Sequence, residues 1–359
     1  MTLEARLDAH LAENDLAAVW FARPNSFAWL TGGDNVIDRT GDRGVAAAGY
    51  DGDGVTVVTD NIEASRLRDE ELGEDVTVET FEWYSDGLEE AVASVSPTPA
   101  AADFDVEGFE SVDATALRQP LTDAQAAAYR SLSEETAVAV ETVARGIDPA
   151  DTERGVAAAL RKELEARDIA TPVVLVGGSE RAQRYRHFTP KSEPVGDYAL
   201  LSVTGTRDGL FTSTTRTVAF DPPEWLAERT RKAMRVETSA LAATQAVGRD
   251  GGTASEVFAA IQAAYDGVGW DGEWQHHHQG GAAGFDGREW VATHDSDAPV
   301  VLPQGYAWNP TIRGAKSEDT HLVSEKGVET LSVTGEWPTR RVQAVGYDLE
   351  LERHGVLHL

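Results

Sequence analysis

The alternation of apolar and polar positions predicts two regions of different architecture. In the first third of the chain, an amphipathic helix at about 2–14 precedes an apolar strand at 17–21. A hairpin follows, and its two strands are joined at the turn from Asp51 to Gly54. Short helices and strands then alternate up to residue 104. This alternation is typical of an α/β unit, so we expect a small α/β domain at the start of the chain.

Beyond residue 122 the pattern changes to long helices separated by pairs of strands. The periodicity predicts helices at about 122–146, 151–167, 223–248 and 253–267, and strands at about 172–178, 198–209 and 210–220. Helices that cover one side of a mostly antiparallel sheet form an α+β domain. Because the first long helix begins just after Arg118 to Pro120, we expect domains at 1–118 and 119–359.

Composition and charge exclude several classes of partner. The 359 residues carry a formal net charge of −30, and a phosphate backbone requires a basic surface, so we expect no nucleic-acid partner. No apolar run approaches the roughly 20 residues that span a bilayer, so we expect a cytoplasmic protein without a membrane partner. Dense acid with only five lysines resembles the composition of haloarchaeal proteins. With no cysteine, any metal site needs His, Asp or Glu.

Several short motifs occur in the order typical of one enzyme family. They are PNSFAWLTG (24–32), RHFTP (186–190), STTRT (213–217), WNP (308–310) and SEDTHLV (317–323). In this order they resemble the creatinase, prolidase and aminopeptidase P family, peptidase family M24. The resemblance implies an α/β creatinase-like N-terminal domain and an α+β pita-bread C-terminal domain, in which helices cover the outer face of a curved, mostly antiparallel sheet. It also implies a homodimer and a small-molecule or dipeptide-like substrate.

The family's two divalent metal ions imply five ligands: two aspartates, one histidine and two glutamates. The motifs place residues that do not match at four of these positions, namely Ser202, Ser213, Gly281 and Asn309. Only Glu318 matches its ligand. A single carboxylate neither neutralises two divalent ions nor completes their coordination. We therefore expect a degenerate metal site, with no metal and no cofactor.

The family resemblance also implies residues that contact the substrate and not the metal ions, and this sequence retains them. His187 and His277 stand where the resemblance implies histidines that bind the substrate and help to protonate the reacting group. Imidazole exchanges a proton near neutral pH. With Glu318 orienting water or a substrate cation, these residues predict a metal-independent hydrolase of a C–N bond in a small amide or amidine. The expected substrate-binding residues are Arg216, Arg288, Glu289, Trp308 and Asn309.

Two alternatives remain open. One is a pseudo-peptidase that binds a ligand without chemistry, and the other is an Xaa-Pro aminopeptidase or dipeptidase with a rearranged metal site. Such a site would be a single zinc ion on His276 and His278, joined by Glu289 or Glu318. Alternate residues of a strand share one face, so this pair of histidines would lie side by side if the segment were extended.

Overall fold

The computed structural model describes residues 2–359. Contacts divide the chain into two compact units, of which one comprises the chain up to Thr122 with Asp208–Leu210. The other comprises Asp123–Arg207 and Phe211–Leu359. The domain limits drawn from the sequence, 1–118 and 119–359, stay a prediction. Within residues 2–359, no helix has the length and apolar character needed to cross a membrane.

The first unit is a mixed six-stranded sheet with helices, as the apolar pattern predicts. Its elements are α1 (Leu3–Glu13), β1 (Ala18–Phe21), α2 (Pro24–Thr31), β2 (Ala46–Tyr50), β3 (Val55–Asp60), α3 (Ala64–Arg66) with the π-helical turn Leu67–Glu71, β4 (Thr77–Phe81), α4 (Leu88–Val95), β5 (Ala100–Ala102) and β6 (Glu110–Ser111). The strand order is β4-β3-β2-β1-β5-β6. Every residue of β1, β2 and β5 is buried, which explains why these strands read as continuous apolar runs.

The second unit combines long helices with antiparallel sheets. Its elements are α5 (Asp123–Ala144), α6 (Glu153–Glu165), β7 (Ala170–Gly178), α7 (Ser179–Arg184), β8 (Tyr198–Arg207), β9 (Leu210–Ala219), α8 (Leu226–Asp250), α9 (Ala254–Gly267), the 3-10 turn Glu273–His276, β10 (Gly280–Ala283), β11 (Trp290–Val291), β12 (Gln304–Trp308), β13 (Thr311–Ile312), β14 (Ala315–Lys316), β15 (Asp319–Ser324), β16 (Gly327–Thr330), β17 (Thr339–Gln343), β18 (Glu350–His354) and β19 (Val356–His358).

Two sheets form the frame of this unit. One has the order β11-β10-β12-β15-β16 with every pair antiparallel, and the other has the order β19-β9-β8-β7. Helix α8 packs against α9 and against β12 to β16, while α5 packs against β8. The predicted pita-bread architecture, a mostly antiparallel sheet covered by helices, is confirmed.

The core between α8, α9 and the first of these sheets is apolar and tightly packed. It includes Trp308, which is fully buried and stacks on Tyr306 with a centroid distance of 6.3 Å. The indole Nε1 of Trp308 donates a hydrogen bond to Thr244 Oγ1 at 3.1 Å, inside the core. Its side chain serves packing, which counts against the predicted role of Trp308 in substrate binding.

A second buried feature is a closed set of charged side chains, which we call the buried ion network. Its members are Glu141, Arg216, Glu237, Asp319, Arg353 and His354. Asp319 is at its centre, with Arg216 on one carboxylate oxygen at 2.9 Å and Arg353 on the other at 2.5 Å. Arg216 also pairs with Glu141 at 2.9 Å and is 1% exposed. The guanidinium of Arg216 is fully paired within this network, which counts against its predicted role in substrate binding.

Candidate functional site

A cavity of about 320 Å³ in the second unit gathers several residues singled out in the sequence. Predicted site residues in its lining are His187, Ser202, Arg288, Asn309 and Glu318. Further polar residues in the lining include Lys316, which the sequence analysis did not single out, and His278, which it considered only as a zinc ligand beside His276. The apolar part of the wall includes Leu175, Val203 and Phe211. The cavity thus combines an apolar wall with a few converging polar groups, which is typical of a small-molecule site.

The strands of the second unit deliver these side chains to one place. Ser202 is on β8, and its hydroxyl lies 2.7 Å from that of Thr215 on β9. Thr215 also donates its backbone N–H to the carbonyl of Glu318 at 2.9 Å, which ties β9 to the segment just before β15. Lys316 ends β14, two residues before Glu318. Residues distant in sequence are therefore held on rigid strands, as a binding site requires.

Two cationic side chains occupy the position implied for the metal ions. The ammonium nitrogen of Lys316 lies 2.7 Å from Glu318 Oε2 and 3.3 Å from Ser202 Oγ. The guanidinium of Arg288 lies 3.1 Å from Glu318 Oε1 and 3.5 Å from Ser213 Oγ. Each cation therefore bridges the surviving glutamate and one of the serines that replace aspartates. Divalent ions and these two cations would compete for the same oxygens, so the residues present do not fit a dinuclear centre.

The pairing with two cations determines the charge state of Glu318. Burial by itself raises the pKa of this carboxyl, but the charges of Lys316 and Arg288 and a hydrogen bond from Thr215 outweigh it and lower the pKa below its usual value. Glu318 is thus ionised at neutral pH, with both oxygens engaged. Both of its oxygens already bind the protein's own groups, which counts against the prediction that Glu318 orients a substrate cation, while its predicted role in orienting water stays a prediction.

Gly281 stands where the family resemblance implies a histidine ligand, and the backbone leaves no room for a side chain there. A Cβ atom at this glycine would lie 2.0 Å from the backbone oxygen of Trp290 and 2.9 Å from its ring. The neighbouring strand β11 pairs with β10 at this point and fills the space a side chain would need. No side chain fits here without moving the strand, so the backbone as well as the sequence excludes the ligand.

Three imidazoles lie together at this site, and we call them the histidine cluster: His187, His277 and His278. His187 follows α7, whereas the other two follow the 3-10 turn. The Nε2 atoms of His187 and His277 are 3.2 Å apart, and one ring nitrogen of each member lies within 4.8 Å of the others. The structure therefore brings together the two histidines predicted to share acid/base work.

The histidine cluster is neutral at physiological pH. Burial, followed by the charge of Lys316, lowers the pKa of His277 to about 2. Burial of the ring, together with the charges of Arg288 and Lys316, lowers the pKa of His278 to about 4, although His278 retains an exposed edge. Burial and the charge of Lys316 also lower the pKa of His187. Of the three, His187 is the imidazole whose cavity position suits proton exchange, while His277 resists protonation.

Other predicted residues lie elsewhere. Glu289 is buried beside β10, donates its backbone N–H to Ala282 at 2.9 Å and is outside the cavity lining, which counts against a role in substrate binding. His276 ends the 3-10 turn and is not in a strand, so the predicted pairing of His276 with His278 on one strand face is wrong. The histidine cluster replaces His276 with His187, which lies 89 positions earlier than His276 in the sequence.

Lys316 is the functional candidate that the sequence analysis missed. Lys316 is one of only five lysines, and it lies two residues before the retained Glu318, which was an available signal. His278 was considered only in company with His276. Strand alternation gives no hint that a segment starting with a 3-10 turn will direct His277 and His278 toward the same partner.

Comparison with known proteins places this fold among the creatinase and prolidase type. The prolidase from Pyrococcus furiosus superposes with a TM-score of 0.73 and 18% identity, covering 91% of this chain and 99% of that one. Dipeptidase PepE from Mycobacterium ulcerans has a TM-score of 0.74 and 20% identity, covering 99% and 97%. The N-terminal domain of FACT complex subunit SPT16 from chickpea has a TM-score of 0.66 and 12% identity, covering 93% and 97%. At these identities the likeness shows the fold alone.

Two models of protein families also match this chain. A model of metallopeptidase family M24 matches residues 127–325, and a model of the creatinase/prolidase N-terminal domain matches residues 5–175. The chain belongs to metallopeptidase family M24. The curated proteins contain no match to it.

Proposed function

We propose that this chain is a metal-independent hydrolase that cleaves a C–N bond in a small amide or amidine substrate bearing a carboxylate. The observation that carries the proposal is the pair of cations, Lys316 and Arg288, on the oxygens that the family gives to metal ions. Family membership supports a hydrolytic reaction of the peptidase type. The mismatch between the residues and a dinuclear centre supports metal independence.

The cavity offers a role for each group in such a reaction. Lys316 and Arg288 together exceed the charge of Glu318 by one positive unit, so they favour an anionic group of the substrate or an oxyanion that develops during attack. Asn309 Oδ1 is buried and has no hydrogen-bond partner among residues 2–359, and it can accept an N–H of the substrate. His187, neutral at pH 7, accepts a proton as water adds to the carbon and returns it to the leaving nitrogen as the C–N bond breaks.

The test is turnover by chelator-treated protein in high salt. We would offer N-acyl amino acids, dipeptides and guanidino acids, and detect products by mass spectrometry. His187→Gln should lower kcat by roughly 10²- to 10⁴-fold, whereas His276→Gln, which changes a histidine outside the cluster, should leave it unchanged. Strict dependence of turnover on added manganese or zinc would sink the proposal and favour the rearranged-metal alternative.

Ligand binding without turnover is the second candidate, and a specific observation favours it. The pKa of His277 near 2 makes that imidazole a poor acid or base at neutral pH, and both oxygens of Glu318 are engaged. This alternative predicts that small carboxylates raise the melting temperature of the protein while no product forms. Arg288→Gln would then abolish the stabilisation by carboxylates.

We also infer a salt-adapted cytoplasmic homodimer, on the basis of the family resemblance and the net charge of −30. Light scattering at high and low salt concentration tests the assembly. A mass corresponding to one 38.6 kDa chain at high salt would contradict the dimer.

A further inference from the structure

The histidine cluster has the geometry of a coordination site. Its three ring centroids are separated by 4.4, 5.0 and 5.7 Å, with the rings of His277 and His278 stacked and the ring of His187 edge-on to that of His277. One nitrogen from each ring lies within 4.8 Å of the other two. A tetrahedral zinc ion with Zn–N bonds of about 2.0–2.1 Å requires ligand nitrogens roughly 3.4 Å apart. The 3.2 Å separation between His187 Nε2 and His277 Nε2 is close to this requirement.

The ring nitrogens of the cluster are not all committed to hydrogen bonds within the protein. His277 Nδ1 is buried and has no hydrogen-bond partner within the described chain. His187 and His278 line the cavity, so an ion bound between the rings could reach a ligand there.

We propose that His187, His277 and His278 bind a single divalent ion of the zinc class, with a fourth coordination position directed to the cavity. None of the three stands at a position implied for the family's dinuclear ligands, so this site is different from that centre. The charges of Lys316 and Arg288 lie nearby and exceed that of Glu318. The ion therefore requires an anion, hydroxide or a ligand carboxylate, at the fourth position, and binding of ion and anion should be mutually reinforcing.

The consequence for catalysis is inhibition, and this part rests on the proposed function. An ion on His187 occupies a nitrogen that the hydrolysis needs for proton exchange. Zinc should therefore slow a reaction that proceeds without metal, and a chelator should restore it. Binding of the ion itself does not depend on that reaction.

The experiment uses the full chain, stripped of metal by a chelator. Zinc is titrated calorimetrically against a competing chelator, so that weak association with the many surface carboxylates is not counted, and metal per chain is measured after desalting. We expect one ion per chain. His278→Gln should weaken zinc affinity by at least 10-fold, since it removes one of three ligands.

His276→Gln is the matched control, because it changes the adjacent histidine, which lies outside the cluster. Equal loss of affinity in the two variants, or no retained zinc in the unmodified protein, would overturn the site. If His278→Gln failed to fold, as judged by circular dichroism, His187→Gln would replace it, because His187 is exposed.

The outcomes also separate this inference from the proposed function. Turnover without metal and without zinc binding would reject only the three-histidine site. Zinc binding in a protein that hydrolyses nothing would retain the site and reject the hydrolase. If zinc bound at this site accelerated turnover, the proposed inhibition and the metal-independent reaction would both be wrong.

Discussion

Glu318 and Asp319 are neighbouring carboxylates with opposite surroundings. Asp319 belongs to the buried ion network, in which Arg216, Arg353, His354 and Ser332 satisfy both of its oxygens. Glu318 lines the cavity, where Lys316 and Arg288 supply more positive charge than it can neutralise. Successive residues that extend in opposite directions thus contribute to two different ionic sites.

The two sites differ in how completely their buried polar atoms are paired. The carboxylate of Asp319 has a partner on each oxygen and is 1% exposed. At the cavity, by contrast, Arg288 Nε and Asn309 Oδ1 are buried without a hydrogen-bond partner among residues 2–359. Leaving a buried polar group unpaired costs about 1–3 kcal/mol. A closed set of charges is explained by folding, whereas an open one indicates a site where a ligand supplies the missing partners.

Asp319→Asn should produce the largest loss of stability. Removing one charge from a buried ion pair leaves its partners uncompensated, so we expect the free energy of unfolding to fall by about 3–5 kcal/mol. Urea unfolding in high salt measures it. If the variant does not fold, Ser332→Ala, which removes a 2.7 Å hydrogen bond to Asp319, should lower the free energy of unfolding by about 1.5–3 kcal/mol.

The control for this variant is an ion pair on the surface. Arg130 pairs with Glu329 at 2.8 Å, and the two side chains are 45% and 49% exposed. Arg130→Ala should cost less than about 1 kcal/mol. A similar loss of stability in Arg130→Ala and Asp319→Asn would show that burial does not set the energetics of the network.

Gly281→Ala tests whether the backbone leaves room for a side chain at the position where the resemblance implies a histidine. The added Cβ would overlap the backbone oxygen of Trp290, so we expect a loss of about 1–3 kcal/mol or more in the free energy of unfolding. Gly327→Ala is the matched control, because nothing lies within 4 Å of its added Cβ. Unfolding midpoints that agree for the two variants would contradict the steric explanation.

Lys316→Met should affect the open site. Glu318 loses the partner at 2.7 Å but keeps Arg288, so we expect the free energy of unfolding to fall by about 1–3 kcal/mol. Removing the positive charge should also raise the zinc affinity of the histidine cluster, since the ammonium repels a cation there. Calorimetry and urea unfolding measure the two effects, and weaker zinc binding in this variant would count against the electrostatic explanation.

Two buried groups, His277 in the histidine cluster and Glu237 in the buried ion network, should contribute to the pH dependence of stability with opposite signs. His277 stays neutral in the folded protein down to a pKa of about 2, whereas the unfolded chain protonates it near pH 6.5. Its contribution to stability is complete above pH 6.5 and is progressively lost as pH falls. Glu237 has the opposite sign, because burial raises its folded pKa to about 7 despite the charge of Arg353, so its contribution grows as pH falls from 7 toward 4.5.

Urea unfolding at pH 7 and pH 5 measures these opposing contributions. His277→Gln should lose less stability on acidification than the unmodified protein, and Glu237→Gln should lose more. Identical pH profiles for both variants and the unmodified chain would mean that neither pKa is displaced by folding.

Much of the fold was predictable because local patterns agree with the tertiary structure. The helix predicted at about 122–146 is α5, Asp123–Ala144, and the hairpin around Asp51 to Gly54 joins β2 to β3. Predictions for long periodic segments are reliable, because burial of one face determines which positions must be apolar. The strand considered for His276 and His278 is absent, because a short polar segment has no apolar face to bury. A 3-10 turn occupies this segment up to His276.

The sequence by itself determined the family and the two-part architecture, because residue identities at spaced motifs and apolar periods are properties of the linear chain. It also predicts that four of the five implied metal ligands are missing. Only the tertiary structure decided that Lys316 and Arg288 bind Glu318, that Arg216 is consumed by Asp319, and that His187 meets His277 and His278. The physical reason is that the two kinds of information concern different distances along the chain and in space. Periodicity reports which face of an element is buried, whereas ion pairing depends on distances of about 3 Å between side chains that the folding of separate strands brings together.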